Sequence, residues 1–325
     1  MPISVVRYKV DGEARWGRLV STGPTRPDDL VTVEPLVSSA PTTAALLAEY
    51  DAKGDLPGSG ATVSLAASGI TSPVTRDATI ICQGLNYNDH AAESGHGARK
   101  ANLLFSKASS SLNGPYDDII RPDGVELLDY EAEIGIVLRK ALTAGTLVSE
   151  ADVGDYVGAV VLCNDVSARD VMFGASFLQW FQGKSYRTFC PAGPVLYLLK
   201  PEEAASVLGD LSLTLDYRGS TRQSANSAQQ IYKAPETLTQ IAALLDLKPG
   251  DLVLTGTPGG VLAQGSPTLA RIMAANLFDD AIRRAELVAE SKKVDPFLQP
   301  GDTLTLRLRD EANGVDLGGQ FSRIA

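Results

Sequence analysis

The sequence predicts a mixed α+β protein dominated by strands, with a small strand-rich N-terminal module ahead of a larger main domain. Three observations predict it. Apolar runs at Glu133–Leu138, Val157–Cys163 and Leu252–Thr255 have the length and continuity of buried strands. Regular helices of about 10–15 residues do not separate these runs, so a doubly wound parallel sheet does not fit. The opening, Ile3 to Val33, alternates apolar runs with Asp11-Gly12 and Gly23-Pro24, which reads as strands joined by turns.

The remaining elements follow in order. Thr42 to Tyr50 reads as a short helix behind Pro41, with Leu46 and Leu47 inside it. Pro57 to Gly60 and Ser72-Pro73 punctuate the approach to Ile80-Ile81-Cys82. That places a boundary near residue 75, giving a module over 1–75 and a main domain over 76–325. Pro235 to Leu247 has helical spacing at Leu238, Ile241, Leu244 and Leu245 and stops at Pro249-Gly250. A further helical stretch begins at Ser266-Pro267 and runs to about Lys293, a helical insertion at about 266–293. Within it, Asp279–Arg283 and Asp280–Arg284 stand at i,i+4 and predict an ion-paired, solvated face.

The chain has 325 residues and a formal net charge of −10. Such a chain is repelled by phosphate backbones and anionic lipid, which excludes nucleic acid and membrane as expected partners. Residues 1–20 carry Arg7, Lys9, Asp11, Glu13, Arg15 and Arg18 with no apolar core of a secretory signal. No run approaches the roughly 20 apolar residues of a membrane span. The expectation is a cytoplasmic protein. Cys82, Cys163 and Cys190 lie far apart with no Cys-x-x-Cys pair, and read as reduced, buried small hydrophobes.

Chemistry concentrates in a few places. Glu131 and Glu133 lead into an apolar strand, and side chains two apart on a strand share a face. Such carboxylates repel unless a cation or proton lies between them, or they sit on an edge strand facing water. Asp165 follows the buried run Val157–Cys163, where an ionised carboxylate needs a partner. That partner is a metal shared with the two glutamates, an ion pair with Arg169, or a helix N-terminus that Asp165 caps. Three hard oxygens suit Mg²⁺ or Mn²⁺, with Ca²⁺ less suited to catalysis; the absence of a His/Cys cluster disfavours zinc.

His90 and Glu93 stand at i,i+3 on a helical turn, where a carboxylate can orient an imidazole to act as a base, or where the two form a plain surface pair. His96, between Gly95 and Gly97, reads as a loop residue. Gly183-Lys184-Ser185 resembles the end of a phosphate loop, but Leu178 stands where the first glycine belongs. Lys184 is then either a contact for a substrate carboxylate or an ordinary surface lysine. Thr255-Gly256-Thr257-Pro258-Gly259-Gly260 follows a buried strand and reads as a backbone cradle for an anion or as a tight turn.

Five stretches, GLNYNDHAAE, DYEAEIGIVL, NDVSARD, GKSYRTFCPAGP and GDLVLTGTPGGV, fall in order from about Gly84 to Pro258. In that order they resemble the fumarylacetoacetate hydrolase superfamily, in its short bacterial-type, acylpyruvase-like branch. The resemblance implies a mixed β-roll with short helices, usually a homodimer, and a metal held by Glu131, Glu133 and Asp165. It implies a catalytic His90–Glu93 dyad on a lid segment, a catalytic Lys184, and a substrate site lined by Tyr87, Lys184, Gly256 and Thr257. The implied reaction is hydrolytic C–C cleavage of a small anionic 2,4-dioxo acid such as an acylpyruvate, a step of aromatic-compound catabolism. The same scaffold also implies an alternative, a lyase or isomerase: an oxo-acid decarboxylase, a hydratase or a 2-keto-3-deoxy-acid dehydratase. The His90–Glu93 pair favours the hydrolase. Two departures bear on the substrate: Met172 stands where relatives carry Gln, and the helical insertion delays the last strands.

Overall fold

The computed structural model describes residues 2–93, 101–294 and 296–325; His96 lies outside them. Among the described residues, the main sheet runs in spatial order Val63–Ala66, Leu30–Pro35, Glu13–Leu19, Ile3–Val10, Cys190–Leu198, Val157–Asn164, Ala132–Leu138, Leu252–Leu254, Ile80–Gly84, Leu103–Lys107. Along this order neighbours pair antiparallel except Leu252–Leu254 beside Ile80–Gly84, which are parallel; off it, Leu112–Asn113 also pairs parallel with Cys190–Leu198. A separate antiparallel sheet of Ser220–Asn226, Leu211–Tyr217, Thr303–Asp310 and Val315–Arg323 packs against it. This strand-rich α+β architecture matches the expected class.

The three apolar runs form strands as read. Ala132–Leu138 and Val157–Asn164 are buried at every residue, because both faces of the sheet are covered. Alternation sends Ile134, Ile136 and Leu138 to one core and Val137 to another, which also holds Leu46 and Leu47. The N-terminal strands are not set apart from this frame: Ile3–Val10 pairs with Cys190–Leu198, so residues 1–75 extend the main sheet.

The first helix spans Thr43–Lys53, capped by the Thr42 hydroxyl and ended by Gly54 with φ +71°. The helix expected over 235–247 ends earlier, at Ala242. There the chain must turn so that Leu247 can bridge to Leu142. The insertion is two helices rather than one, Pro267–Ala275 and Asp280–Ser291. Ser266 caps the first and Asp279 caps the second, which breaks the run between them.

The predicted i,i+4 ion pairs of the insertion give way to other contacts. Asp279 is occupied as the cap, and Asp280 accepts from the Ser176 amide. Arg283 is buried and donates to the carbonyls of Phe173 and Met273, while Arg284 reaches Asp170. The second insertion helix is therefore bolted to the helix Arg169–Gly174. The three cysteines are free and buried, as expected. Among the described residues no helix is long and apolar enough to cross a membrane.

Candidate active site

The site lies at the ends of central strands of the main sheet, where antiparallel pairing brings opposite strand ends together. Ala132–Leu138 begins where Val157–Asn164 and Leu252–Leu254 end, with Ala132 opposite Asn164 and Gly135 opposite Leu254. Glu131 therefore stands beside Asp165, whose amide donates to the Glu131 carbonyl at 2.8 Å. Asn164 fixes the other side of the turn by accepting from the Glu131 amide at 3.0 Å. Carboxylate oxygens of Glu131, Glu133 and Asp165 lie within 4.8 Å of one another, and all three residues are buried. The expected convergence is present.

Three buried cations share this cluster. The Lys184 ammonium donates to Glu131 Oε2 at 2.8 Å, Asp165 Oδ2 at 2.6 Å and Ser167 Oγ at 2.8 Å. Lys107, at the end of Leu103–Lys107, donates to Asp165 Oδ1. Arg169 pairs with Glu131 at 2.7 Å and with Asp129 at 2.9 Å. Asp129 in turn accepts from the amides of Leu262 and Ala263, which ties that loop to Arg169. Asp165 thus does not pair with Arg169, the alternative open in the sequence; Asp129 and Glu131 do.

Electrostatics separates the three carboxylates. Burial works against the charge of Glu131, yet Lys184, Arg169 and His90 together hold its carboxyl down at about 2. Burial pushes Glu133 well above the usual carboxylate range, and the negative charge of Asp165 and Glu131 adds to the push. Glu133 Oε2 accepts from the Gly256 amide at 2.6 Å, while its Oε1 is buried with no hydrogen-bond partner. A buried carboxylate oxygen without a donor, beside two more hard oxygens, is the donor set of a Mg²⁺- or Mn²⁺-type ion. The residues fit such an ion.

Above the cluster opens a cavity of about 690 Å³ lined by His90, Glu131, Arg169, Thr257 and Gln83. His90 is 6% exposed, its Nδ1 lacks a hydrogen-bond partner, and burial pushes its pKa down to about 4. The imidazole is neutral at pH 7. Glu93 does not bond to it: both its carboxylate oxygens accept from the Gly260 amide, at 3.1 and 2.9 Å. The dyad suggested by the i,i+3 spacing is not assembled in this structure, because the carboxylate is claimed by the glycine loop.

Three other expectations shift. Lys184 has three N–H groups, and all three are spent on the cluster, so none is left for a substrate carboxylate. Among the described residues, Arg169 is the cation that lines the cavity. Gly256, at φ +90°, gives its amide to Glu133 rather than to an incoming anion, and a Cβ there would meet Asn86 at 2.8 Å. Tyr87 is buried and bridges to Gln230, away from the cavity wall. Thr257 does line the cavity, with its hydroxyl donating to the Ala132 carbonyl and accepting from Gln223.

Gln83, Lys107, Asp129 and Gln223 escaped the sequence reading. Gln223 ties the loop to the strand, accepting from the Ala132 amide and donating to Thr257 and Pro258. Gln83 lines the cavity 1% exposed, and neither of its amide atoms has a partner. The one sequence signal for it was a lone polar residue directly after the apolar run Ile80–Cys82.

Comparison with known proteins adds an independent line. The family described as fumarylacetoacetate (FAA) hydrolase C-terminal matches residues 79–319. A mitochondrial oxaloacetate tautomerase of Bos taurus is 36% identical over 190 residues, 58% of this chain and 59% of that protein. The match thus spans about three-fifths of the relative's length. A 2,4-didehydro-3-deoxy-L-rhamnonate hydrolase of a Sphingomonas strain is 34% identical over 230 residues, 71% of this chain and 78% of that one. In fold, the chain is similar to a fumarylacetoacetate hydrolase structure from Exiguobacterium antarcticum, with a TM-score of 0.71, 23% identity and 99% of each chain covered.

Proposed function

The chain belongs to the fumarylacetoacetate hydrolase family, and on that premise we propose that it is a divalent-metal-dependent enzyme hydrolysing a C–C bond in a small 2,4-dioxo acid of the acylpyruvate type. The observation that carries the proposal is the trio Glu131, Glu133 and Asp165 with its orphaned Glu133 oxygen. Among the described residues, the four buried acids Asp129, Glu131, Glu133 and Asp165 meet three buried cations, Lys107, Lys184 and Arg169, so the cluster there holds more acids than fixed cations. A dication reverses that surplus and makes the site attractive to an anionic acid.

Glu131, Glu133 and Asp165 would hold Mg²⁺ or Mn²⁺, which when bound polarises the 2-oxo group and offsets the charge that develops as the bond breaks. The chain's own groups do the rest. Arg169, facing the cavity, orients the acid's carboxylate, and the unpartnered Gln83 amide receives a substrate oxygen. His90, neutral and open at Nδ1, accepts a proton from a water that attacks the 4-oxo carbon. The C3–C4 bond breaks, the hydroxyl stays on the acyl carbon, and the proton passes to C3. One water is consumed, and the products are a carboxylic acid and a 2-oxo acid.

A second reading is isomerisation: keto–enol exchange of an oxo acid such as oxaloacetate, with no water consumed. The low basicity of His90 favours it, as does the similarity to a tautomerase. The test is a panel of acylpyruvates, oxaloacetate and keto-deoxy sugar acids with Mg²⁺, with Mn²⁺ and with EDTA. The proposal expects acylpyruvate cleavage that EDTA abolishes. Metal-dependent exchange of oxaloacetate without cleavage of any acylpyruvate selects the second reading, and full activity in EDTA defeats both. The homodimeric state implied by the family is part of the proposal, checked by the mass of the particle in solution.

A further inference from the structure

The cavity has two unlike halves. Beyond the polar end, its wall is mostly apolar, with Phe173, Trp180, Leu269, Met273, Leu287 and Phe297, although Gln264, Ser266 and Ser291 also reach it. Three of the apolar residues come from the insertion helices. The first insertion helix fully buries no residue, yet Leu269, Ala270 and Met273, one turn apart, face the cavity. Its apolar side covers a void, whereas a core helix would cover packed side chains. Opposite, Trp180 packs against Phe105 at 5.1 Å and edge-on to Phe173 at 6.2 Å, forming an aromatic wall. Arg283 holds the two walls in register through the carbonyls of Phe173 and Met273. The space is preformed, and its volume falls in the range of about 300–1,000 Å³ that accommodates drug-sized ligands, well above the need of a four-carbon diacid.

We propose that the substrate's non-reacting end is a bulky apolar group, about six to ten carbons and ring-bearing, seated between the insertion helices and Trp180. This rests on the proposed reaction for which end of the substrate reacts, and on the cavity alone for the tail. An apolar wall discriminates by burial, so each added methylene improves recognition by roughly three- to fourfold until the space is full.

The test uses the Mg²⁺-loaded protein and two non-cleavable probes, 2-oxobutanoate and 2-oxo-4-phenylbutanoate, read by fluorescence. Of the two tryptophans, Trp16 and Trp180, only Trp180 lines the cavity. The phenyl probe should bind roughly tenfold to a hundredfold more tightly than the short one. In Met273→Glu, which places a charge in the apolar half on a helix that fully buries no residue, that advantage should fall below about threefold. Equal affinity of the two probes for the unmodified protein, or an advantage untouched by Met273→Glu, overturns the inference. A parallel assay compares 2,4-dioxopentanoate with 4-phenyl-2,4-dioxobutanoate. Tight phenyl binding without hydrolysis of either acid sinks the proposed reaction and leaves the tail site standing. Hydrolysis with flat affinities does the reverse.

Discussion

The floor of the cavity is carried by strand ends whose backbones are held on both sides by neighbouring strands, whereas its roof is carried by two short helices held by a few arginines. On the floor, Glu131 is fixed through Asn164 and Asp165, Glu133 through Gly256, and Thr257 through Gln223. On the roof, Arg283 and Arg284 provide the anchors, and Leu277, Phe278 and Ile282 are exposed. The floor gathers charge in a place that excludes water, which demands many mutually supporting bonds. The roof gathers apolar surface, which needs only shape. On the proposed reading, chemistry and selectivity are built from different parts, and the two should fail separately.

The largest expected effect comes from the floor. Glu131→Ala removes one of three anionic oxygens and leaves Lys184 and Arg169 short of a counter-charge. Metal affinity should fall more than tenfold, activity by roughly a thousandfold or more, and stability by about 3–5 kcal/mol. Calorimetric Mn²⁺ titration and denaturant unfolding check this, and unchanged metal affinity contradicts the assigned role. His90→Ala is expected to cost about 10²–10⁴ in rate while metal affinity stays within about twofold. Equal loss of both would place His90 among the ligands instead.

The roof predicts the opposite pattern. Arg283→Ala leaves the carbonyls of Phe173 and Met273 without their donor and frees the insertion from the helix behind Arg169. The expected cost is about 2–4 kcal/mol of stability and a raised KM, with metal affinity unaltered. A matching loss of metal affinity would show that roof and floor are coupled, and the comparison would break.

The same division explains what the sequence disclosed. Glu131, Glu133 and Asp165 were legible because a strand alternates its faces and because a carboxylate after a buried run needs a partner. Lys107, Asp129 and Gln223 were not, since their side chains meet the cluster only through pairings between distant segments. Gly256 was placed in the right loop and Glu93 on the right helical turn, both with the wrong partners: the Gly256 amide turns to Glu133, and Glu93 turns to Gly260. Local spacing places a donor near a site but cannot say which acceptor claims it. The insertion was visible as helical, yet its charges at 279–284 pointed to solvent by i,i+4 logic when tertiary contacts had taken the arginines. Likewise the strands of residues 1–75 were readable, while their pairing to Cys190–Leu198 was beyond any local pattern.

Gln83 stands where floor and roof meet, and it carries the smallest prediction. Its amide oxygen and nitrogen are both buried without partners, a state that costs the folded protein on the order of 1–3 kcal/mol. Nothing in the fold requires an amide there: the adjacent strand residues are apolar, and Leu has nearly the same length. Gln83→Leu should therefore leave stability unchanged or raise it by about 1–2 kcal/mol, the reverse of an ordinary core substitution. If the amide is kept for a substrate oxygen, the same change should raise KM about tenfold with metal affinity untouched. A stabilised variant with normal KM would show that the amide serves neither fold nor substrate. A destabilised one would mean that it has a partner in the folded protein after all, and that this corner of the floor is as tightly bonded as the carboxylates beside it.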